Sequence, residues 1–247
     1  MKATQLLSAA LVGLASATPF NKTALFQRGL DTFPTANQTT TTTTTAALAK
    51  SRLTQTTANE FLEGGCRDVV FLYARGTLQA GNLGETPGPQ TVEQLKAALP
   101  GGEAKVAAQG LNYAAEARNN FRLEGCAVED AVDLALLAHD VAQTCPEAQI
   151  VLAGYGQGAA VVHAAAKRLD ALAKARITAA VTFGDTMKGV DGGKIPGIEQ
   201  DRVLILCHKG DGACVGDFSH FEVAHTRYED LVPEAVKFIV GKIAVGV

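Results

Sequence analysis

A glycine-containing pentapeptide is the segment of this sequence best suited to present a reactive side chain. Residues 154–158 read Gly-Tyr-Gly-Gln-Gly, and they follow the apolar run Gln149–Ala153 and open a segment with a helical pattern. In this strand–turn–helix context, G-x-S-x-G forms a sharp turn that exposes a serine nucleophile above a sheet. The central residue here is Gly156, so the sequence predicts the turn without the hydroxyl group.

Residues downstream of the turn favour acyl-transfer chemistry over nucleotide binding. A nucleotide loop needs G-x-G-x-x-G at the first strand–helix junction or a GK[ST] tripeptide, and neither is present. Asp211 lies between Cys207 and Cys214, and His225 follows it. The order of nucleophile position, acid and base is that of the α/β-hydrolase triad.

Alternating apolar and amphipathic segments predict the elements that hold these residues. Five buried strands separated by helices favour an α/β fold, a three-layer sandwich around a central, mostly parallel five-stranded sheet. The predicted strands are Asp68–Ala74, Ala104–Gln109, Gln149–Ala153, Ile177–Phe183 and Arg202–Leu206. The predicted helices are Val92–Leu99, Ala127–Thr144, Gln157–Lys174 and Leu231–Val245, with a short one within Gln55–Leu62. Chemistry is expected where the strands end.

The amino-terminal residues differ from the rest of the chain. Residues 1–17 combine Lys2, a short apolar core and an A-x-A cleavage pattern, which indicates a secretory signal peptide. Residues 18–54 contain seven consecutive threonines and two glycosylation sequons, which predicts a disordered pro-segment or tether. The net charge of −3 and the lack of a basic face argue against a nucleic-acid partner. No later stretch is long and apolar enough to predict a membrane span.

Residues 55–247 resemble the fungal cutinase family. The resemblance rests on Cys66–Phe71, Ala74–Thr77, Gly81–Gly84, Gly88-Pro89, Cys145–Ala148, the elbow, Lys194–Pro196 and the cysteine-bracketed Gly210-Asp211. It implies a secreted serine esterase of the α/β-hydrolase type, without a lid domain, acting on cutin polyester or short-chain esters. Acetylxylan esterases share this architecture and are the alternative.

The resemblance also implies roles for individual residues. Gly156 takes the nucleophile position, with Asp211 as the acid and His225 as the base. The backbone N–H of Gln157, together with Thr77, would form the oxyanion hole. Tyr155 would lie under the turn, and residues 110–125 would form a flap at the mouth of the cleft.

Two disulfides, Cys66–Cys145 and Cys207–Cys214, are also implied by the resemblance. They leave Cys126 as a partly buried free thiol or as half of an intermolecular disulfide. Cys207 and Cys214 with His208 and His220 match no common zinc spacing, so we expect no metal and no cofactor. Of the remaining histidines, His139, His163, His208 and His220 are predicted to be surface or helix residues rather than ligands.

The loss of the serine determines the functional prediction. The chain has four serines, Ser8, Ser16, Ser51 and Ser219, and none can occupy the elbow. We therefore expect a secreted, monomeric protein that meets plant cuticle polyester or another ester surface and is inactive or very weakly active. Two alternatives stay open: weak hydrolysis by a water that His225 activates, or an active cutinase or acetylxylan-type esterase whose Gly156 is a variant or a sequence error.

Overall fold

Five short apolar segments form one parallel sheet in the computed structural model, which describes residues 55–218 and 223–243. The strands are β1 Val69–Ala74, β2 Val106–Gly110, β3 Gln149–Tyr155, β4 Ile177–Phe183 and β5 Val203–Leu206. They are ordered β2-β1-β3-β4-β5, and every adjacent pair is parallel. Because both faces of the sheet are covered, the strands are apolar along nearly their whole length.

Helices cover the two faces of the sheet and confirm the predicted three-layer α/β architecture. They are α1 Glu60–Gly64, α2 Gly88–Ala98, α3 Gly102–Lys105, α4 Val128–Thr144, α5 Gln157–Ala166, α6 Ala171–Arg176 and α7 Val232–Lys242. Val70 and Leu72 of β1 pack in one cluster with α4 and α5. Phe71 and Tyr73 point to the other face and pack with α2 and α7. The alternation follows from the two-residue period of a strand.

Several element boundaries differ from the sequence prediction, and three of the differences have a clear local cause. The helix expected from Val92 begins at Gly88, because a proline occupies its first turn, where the missing N–H has no cost. The strand expected from Ala104 begins at Val106, since residues 102–105 form a helical turn. The single helix expected over residues 157–174 is wrong: α5 ends at Ala166 and α6 starts at Ala171. Asp170 caps α6 by accepting the N–H of Ala173 at 2.8 Å.

Both implied disulfides are formed. Cys66–Cys145, with Cα atoms 5.5 Å apart, joins the start of β1 to the end of α4. Cys207–Cys214, with Cα atoms 6.2 Å apart, closes the loop after β5. Cys126 is a free thiol and is buried.

Several sequence predictions fall on residues that the structure leaves undescribed. The expected signal peptide, residues 1–17, and the tether, residues 18–54, lie outside the described residues, as do Ser219 and His220. Within residues 55–218 and 223–243, no helix is long and apolar enough to cross a membrane.

Candidate active site

The elbow lies at the carboxyl end of β3, the central strand of the sheet. The two outer glycines are required by close backbone contacts. A Cβ atom on Gly154 would lie 2.3 Å from the carbonyl oxygen of Gly158, and one on Gly158 would lie 1.9 Å from the carbonyl oxygen of Ala74. These distances are far below van der Waals contact, so α5 packs on β1 and β3 only without side chains at both positions.

Gly156 occupies the tip of the turn with φ 57° and ψ −115°. Its N–H donates to the carbonyl of Phe183 at 3.0 Å, and its own carbonyl accepts the N–H of Ala159 at 3.0 Å. A Cβ atom built on Gly156 would lie 3.4 Å from Nε2 of His225, which is ordinary contact. The position thus has room for a side chain directed at the imidazole, although its positive φ strains any residue except glycine.

The structure brings Asp211 and His225 together on two loops beyond β5. Nδ1 of His225 lies 3.0 Å from Oδ1 and 2.9 Å from Oδ2 of Asp211. With its proton on Nδ1, the imidazole donates to the carboxylate, and its Nε2 is directed at Gly156 as a base. Asp211 starts the turn Gly212–Val215 and accepts the N–H of Ala213 at 3.0 Å.

The carboxylate of Asp211 is buried and ionised. Burial raises its pKa, but hydrogen bonds from His225 and Tyr228 outweigh burial and hold the pKa below its ordinary value. The hydroxyl of Tyr228 donates to Oδ2 of Asp211 at 2.6 Å. A buried, ionised carboxylate next to an imidazole is the pair that a general base requires.

Tyr155, which the resemblance implies to lie under the turn, packs against His225. Its ring stacks on the imidazole with centroids 5.2 Å apart, and its hydroxyl donates to the carbonyl of His225 at 2.5 Å. Burial raises its pKa, with a further contribution from the charge of Asp211. The hydroxyl therefore stays protonated and fixes the backbone that carries the base.

Thr77 and Gln157, the predicted oxyanion-hole residues, face each other across the elbow. Asn120 links them: its Nδ2 donates to the hydroxyl of Thr77 at 3.0 Å, and its Oδ1 accepts from Nε2 of Gln157 at 2.9 Å. Gln157 also donates to the carbonyl of Glu116 at 2.9 Å. As the first residue of α5, Gln157 contributes a backbone N–H that has no acceptor within the helix.

The predicted flap, residues 110–125, contains the turn Ala117–Phe121 and is hydrogen-bonded to the loop after β1. The N–H of Leu78 donates to the carbonyl of Ala115 at 2.9 Å, and both residues have positive φ, 59° and 49°. Non-glycine residues in this region store backbone strain, which is concentrated at functional sites. The flap and the Thr77 loop thus hold each other in place.

The comparisons with known proteins agree with this geometry. The sequence model of the cutinase family matches residues 65–243. The chain belongs to the cutinase family. It is 48% identical over 188 residues to cutinase CUT2 of Pyricularia oryzae, which covers 76% of this chain and 86% of that protein.

Solved structures of other cutinases share the fold. A Trichoderma reesei cutinase in complex with a phosphonate inhibitor superposes with a TM-score of 0.69 and 32% identity, covering 77% of this chain and 81% of that one. The catalytic core domain of an acetyl xylan esterase from Trichoderma reesei gives a TM-score of 0.56 at 21% identity, covering 72% of this chain and 99% of that one. This second likeness shows the fold alone.

Asn120 and Tyr228 are the two members of this cutinase site to which sequence reasoning assigned no role. Asn120 lies in the predicted flap but follows another asparagine, and no periodicity distinguishes the two. Tyr228 lies three residues after His225, and only the packing of the two loops places it against Asp211. The spacing of residues along the chain therefore predicts neither the contact of Asn120 with Thr77 nor that of Tyr228 with Asp211.

A buried ion-pair cluster joins α5, the helix that follows the elbow, to the loop after β4. His163 of α5 is fully buried, and its Nε2 lies 2.9 Å from Asp185 and its Nδ1 2.7 Å from Asp191. Burial lowers the pKa of His163, but the two carboxylates outweigh burial and raise it. His163 is thus on a helix as predicted, and it joins α5 to the loop after β4.

Among the described residues, no group of three or more His, Cys, Asp or Glu side chains is placed to hold a metal ion.

A groove of about 550 Å³ lies at the opposite end of the sheet. It is lined by the Cys66–Cys145 disulfide and by Val69 and Gln149, the first residues of β1 and β3. Because the elbow follows the last residue of β3, this groove lies away from Gly156 and belongs to another part of the surface.

Proposed function

We propose that this protein is a secreted, cutinase-like protein that binds ester substrates and hydrolyses them very weakly or not at all. The observation that carries the proposal is Gly156, which lies at the nucleophile position of an otherwise complete site. A cutinase needs an oxygen there, attached to the elbow and within reach of the base. Only a hydrogen atom lies there, although Nε2 of His225 is 3.4 Å from the Cβ position.

Thr77 and Cys126, the two candidates that the sequence offers, do not supply the nucleophile. The hydroxyl of Thr77 is bonded to Asn120 on the oxyanion side of the site. Cys126 is 1% exposed, and burial, with nearby Asp130, raises its pKa to about 12. A thiol with that pKa is protonated at neutral pH and is a poor nucleophile.

The remaining groups support weak hydrolysis at most. A water next to Gly156 could lose a proton to His225 while Thr77 and Gln157 bind the oxyanion. Proteases that lack a triad member keep roughly 10³–10⁴-fold acceleration over water from their oxyanion hole and substrate binding. That is several orders of magnitude below a working esterase.

An apolar rim around the site supports binding of an ester with apolar chains. We define this apolar rim as five exposed side chains on the segments that carry the site: Leu78, Phe121, Leu123, Val215 and Val223. Exposed apolar side chains on the segments that carry a site favour binding of apolar groups there. The rim fits cutin polyester or short-chain esters, and acetylated xylan is the second candidate, favoured by the shared fold alone.

Secretion is part of the proposal. Residues 1–17 have the pattern of a signal peptide. The two disulfides support an oxidising compartment, since such bonds are rare in the reducing cytosol.

Hydrolysis of p-nitrophenyl butyrate by the purified protein tests the proposal. We expect a rate far below that of an ordinary cutinase and no inhibition by a fluorophosphonate. An ordinary rate that a fluorophosphonate abolishes would contradict the proposal and identify the active-enzyme alternative. Binding to cutin without turnover would support the ester-binding role.

A further inference from the structure

Tyr228 is a buried side chain whose hydroxyl ends at the carboxylate of Asp211. It is 1% exposed. Its O–H donates to Oδ2 of Asp211 at 2.6 Å, and its oxygen accepts the backbone N–H of His208 at 3.1 Å. The N–H of His208 fixes the orientation of the hydroxyl, so that its proton points to the carboxylate.

Tyr228 remains a donor over the whole working pH range. Burial raises its pKa, and the hydrogen bond to Asp211 raises it further. Oδ2 of Asp211 therefore accepts a hydrogen bond from the Tyr228 hydroxyl, and Oδ1 accepts one from the N–H of Ala213. Nδ1 of His225 lies within hydrogen-bond distance of both oxygens. Removing one donor from a buried carboxylate leaves its charge less well balanced.

The ring of Tyr228 is packed independently of its hydroxyl. It makes edge contacts with Phe183 and His225, at centroid distances of 6.1 and 6.3 Å. A Cβ atom on Gly184 would lie 3.0 Å from the Tyr228 ring, which shows how closely the ring is enclosed. Phenylalanine would keep these contacts and remove only the hydroxyl.

We propose that Tyr228 is a positioning residue that sets the orientation and charge of the Asp211–His225 pair. The inference rests on the proposed function, because it takes Asp211 and His225 as acid and base. The hydrogen bond from Tyr228 offsets part of the charge on Asp211 and fixes the orientation of the carboxylate toward His225. Without it, the carboxylate loses a donor, and its charge beside the imidazole is less well balanced.

Kinetics of Tyr228→Phe in a Gly156→Ser background test this role. We expect kcat to fall about tenfold, the effect of one lost hydrogen bond to a charged group, with KM unchanged. The acidic limb of the pH–rate profile should move to higher pH. Among the described residues, the ionisable groups around this cluster include His208, Tyr155, Glu229 and Asp230, and they are the same in both proteins.

Tyr73→Phe is the matched control. Tyr73 is a fully buried tyrosine of β1, and it makes no hydrogen bond to Asp211 or His225. Loss of the Tyr73 hydroxyl should leave the pH–rate profile unchanged. If Tyr228→Phe keeps both kcat and the acidic limb, or if Tyr73→Phe shifts the limb equally, the positioning role is wrong. If Gly156→Ser itself is inert, the proposed function fails instead.

Proton NMR of the native chain tests the same inference without catalysis. The Nδ1 proton of His225 should give a far-downfield resonance, and Tyr228→Phe should shift it. Site-specific replacement of Tyr228 alone by 3-fluorotyrosine, a stronger donor with similar packing, should shift it in the opposite direction and covers the case in which Tyr228→Phe does not fold. An unchanged resonance in the folded variants would overturn the inference.

Discussion

Gly156→Ser would supply the hydroxyl group that the proposed site lacks. The new Cβ would lie 3.4 Å from Nε2 and 3.8 Å from Cε1 of His225, so the serine enters without displacing the imidazole. Its hydroxyl would extend toward the base. In a serine protease, removal of the nucleophile lowers kcat by about 10⁶-fold. We therefore expect an increase of about that size.

The same substitution should destabilise the fold. Gly156 has φ 57°, a region that L-residues occupy only with strain. The strain costs roughly 1–2 kcal/mol. For a domain of this size, that corresponds to a Tm lower by about 2–8 °C. We therefore expect the native glycine form to be more stable and less active than the serine variant.

Gly156→Ala separates the two effects. Alanine brings the same backbone strain and the same Cβ but no hydroxyl, so its Tm should fall as in Gly156→Ser while its esterase rate stays at the native level. The assay is p-nitrophenyl butyrate hydrolysis, with thermal unfolding of all three proteins. A Gly156→Ser protein that is folded and inert would refute the assignment of Asp211 and His225.

Two further predictions concern stability and thiol chemistry. The pKa values of Asp185 and Asp211 lie below their ordinary values, so their stabilisation is complete above about pH 4 and is lost as pH falls further. His163, with a raised pKa, stabilises fully below about pH 6.5 and less as pH rises through its folded value. Urea unfolding from pH 3 to 9 should show both losses, and a flat curve would contradict them. Cys126 should resist a thiol reagent in the native protein and give one reactive thiol after unfolding without reductant; a thiol count of zero after unfolding would indicate an intermolecular disulfide.

Much of the fold could be predicted from the sequence because its strands are buried on both faces. Continuous apolar runs such as residues 69–74 mark a parallel sheet, and the fold prediction is confirmed. The helix break at residues 167–170 was not predicted because residues 159–176 are rich in alanine and contain no glycine or proline. Asp170 is the N-cap of α6, and a single aspartate is a weak signal within a long helical segment.

The residues of the candidate site could be predicted where they belong to a local sequence motif. They could not be predicted where they meet only through contacts between distant parts of the chain. The elbow is a local turn, and its glycines are explained by contacts within a few residues and with β1. Asn120 and Tyr228 act across 43 and 17 residues, on Thr77 and Asp211 respectively. Such contacts depend on how loops pack, which neither propensity nor spacing reports. The roles of Asp211 and His225 stay predictions until they are tested by activity.

Covalent labelling by a phosphonate ester tests most directly the claim that this cutinase-family protein lacks a nucleophile. The native protein and Gly156→Ser would be incubated with an alkyl p-nitrophenyl phosphonate and weighed intact by mass spectrometry. We predict no adduct on the native chain and one adduct per molecule at position 156 of the serine variant. One adduct per native molecule would contradict the account.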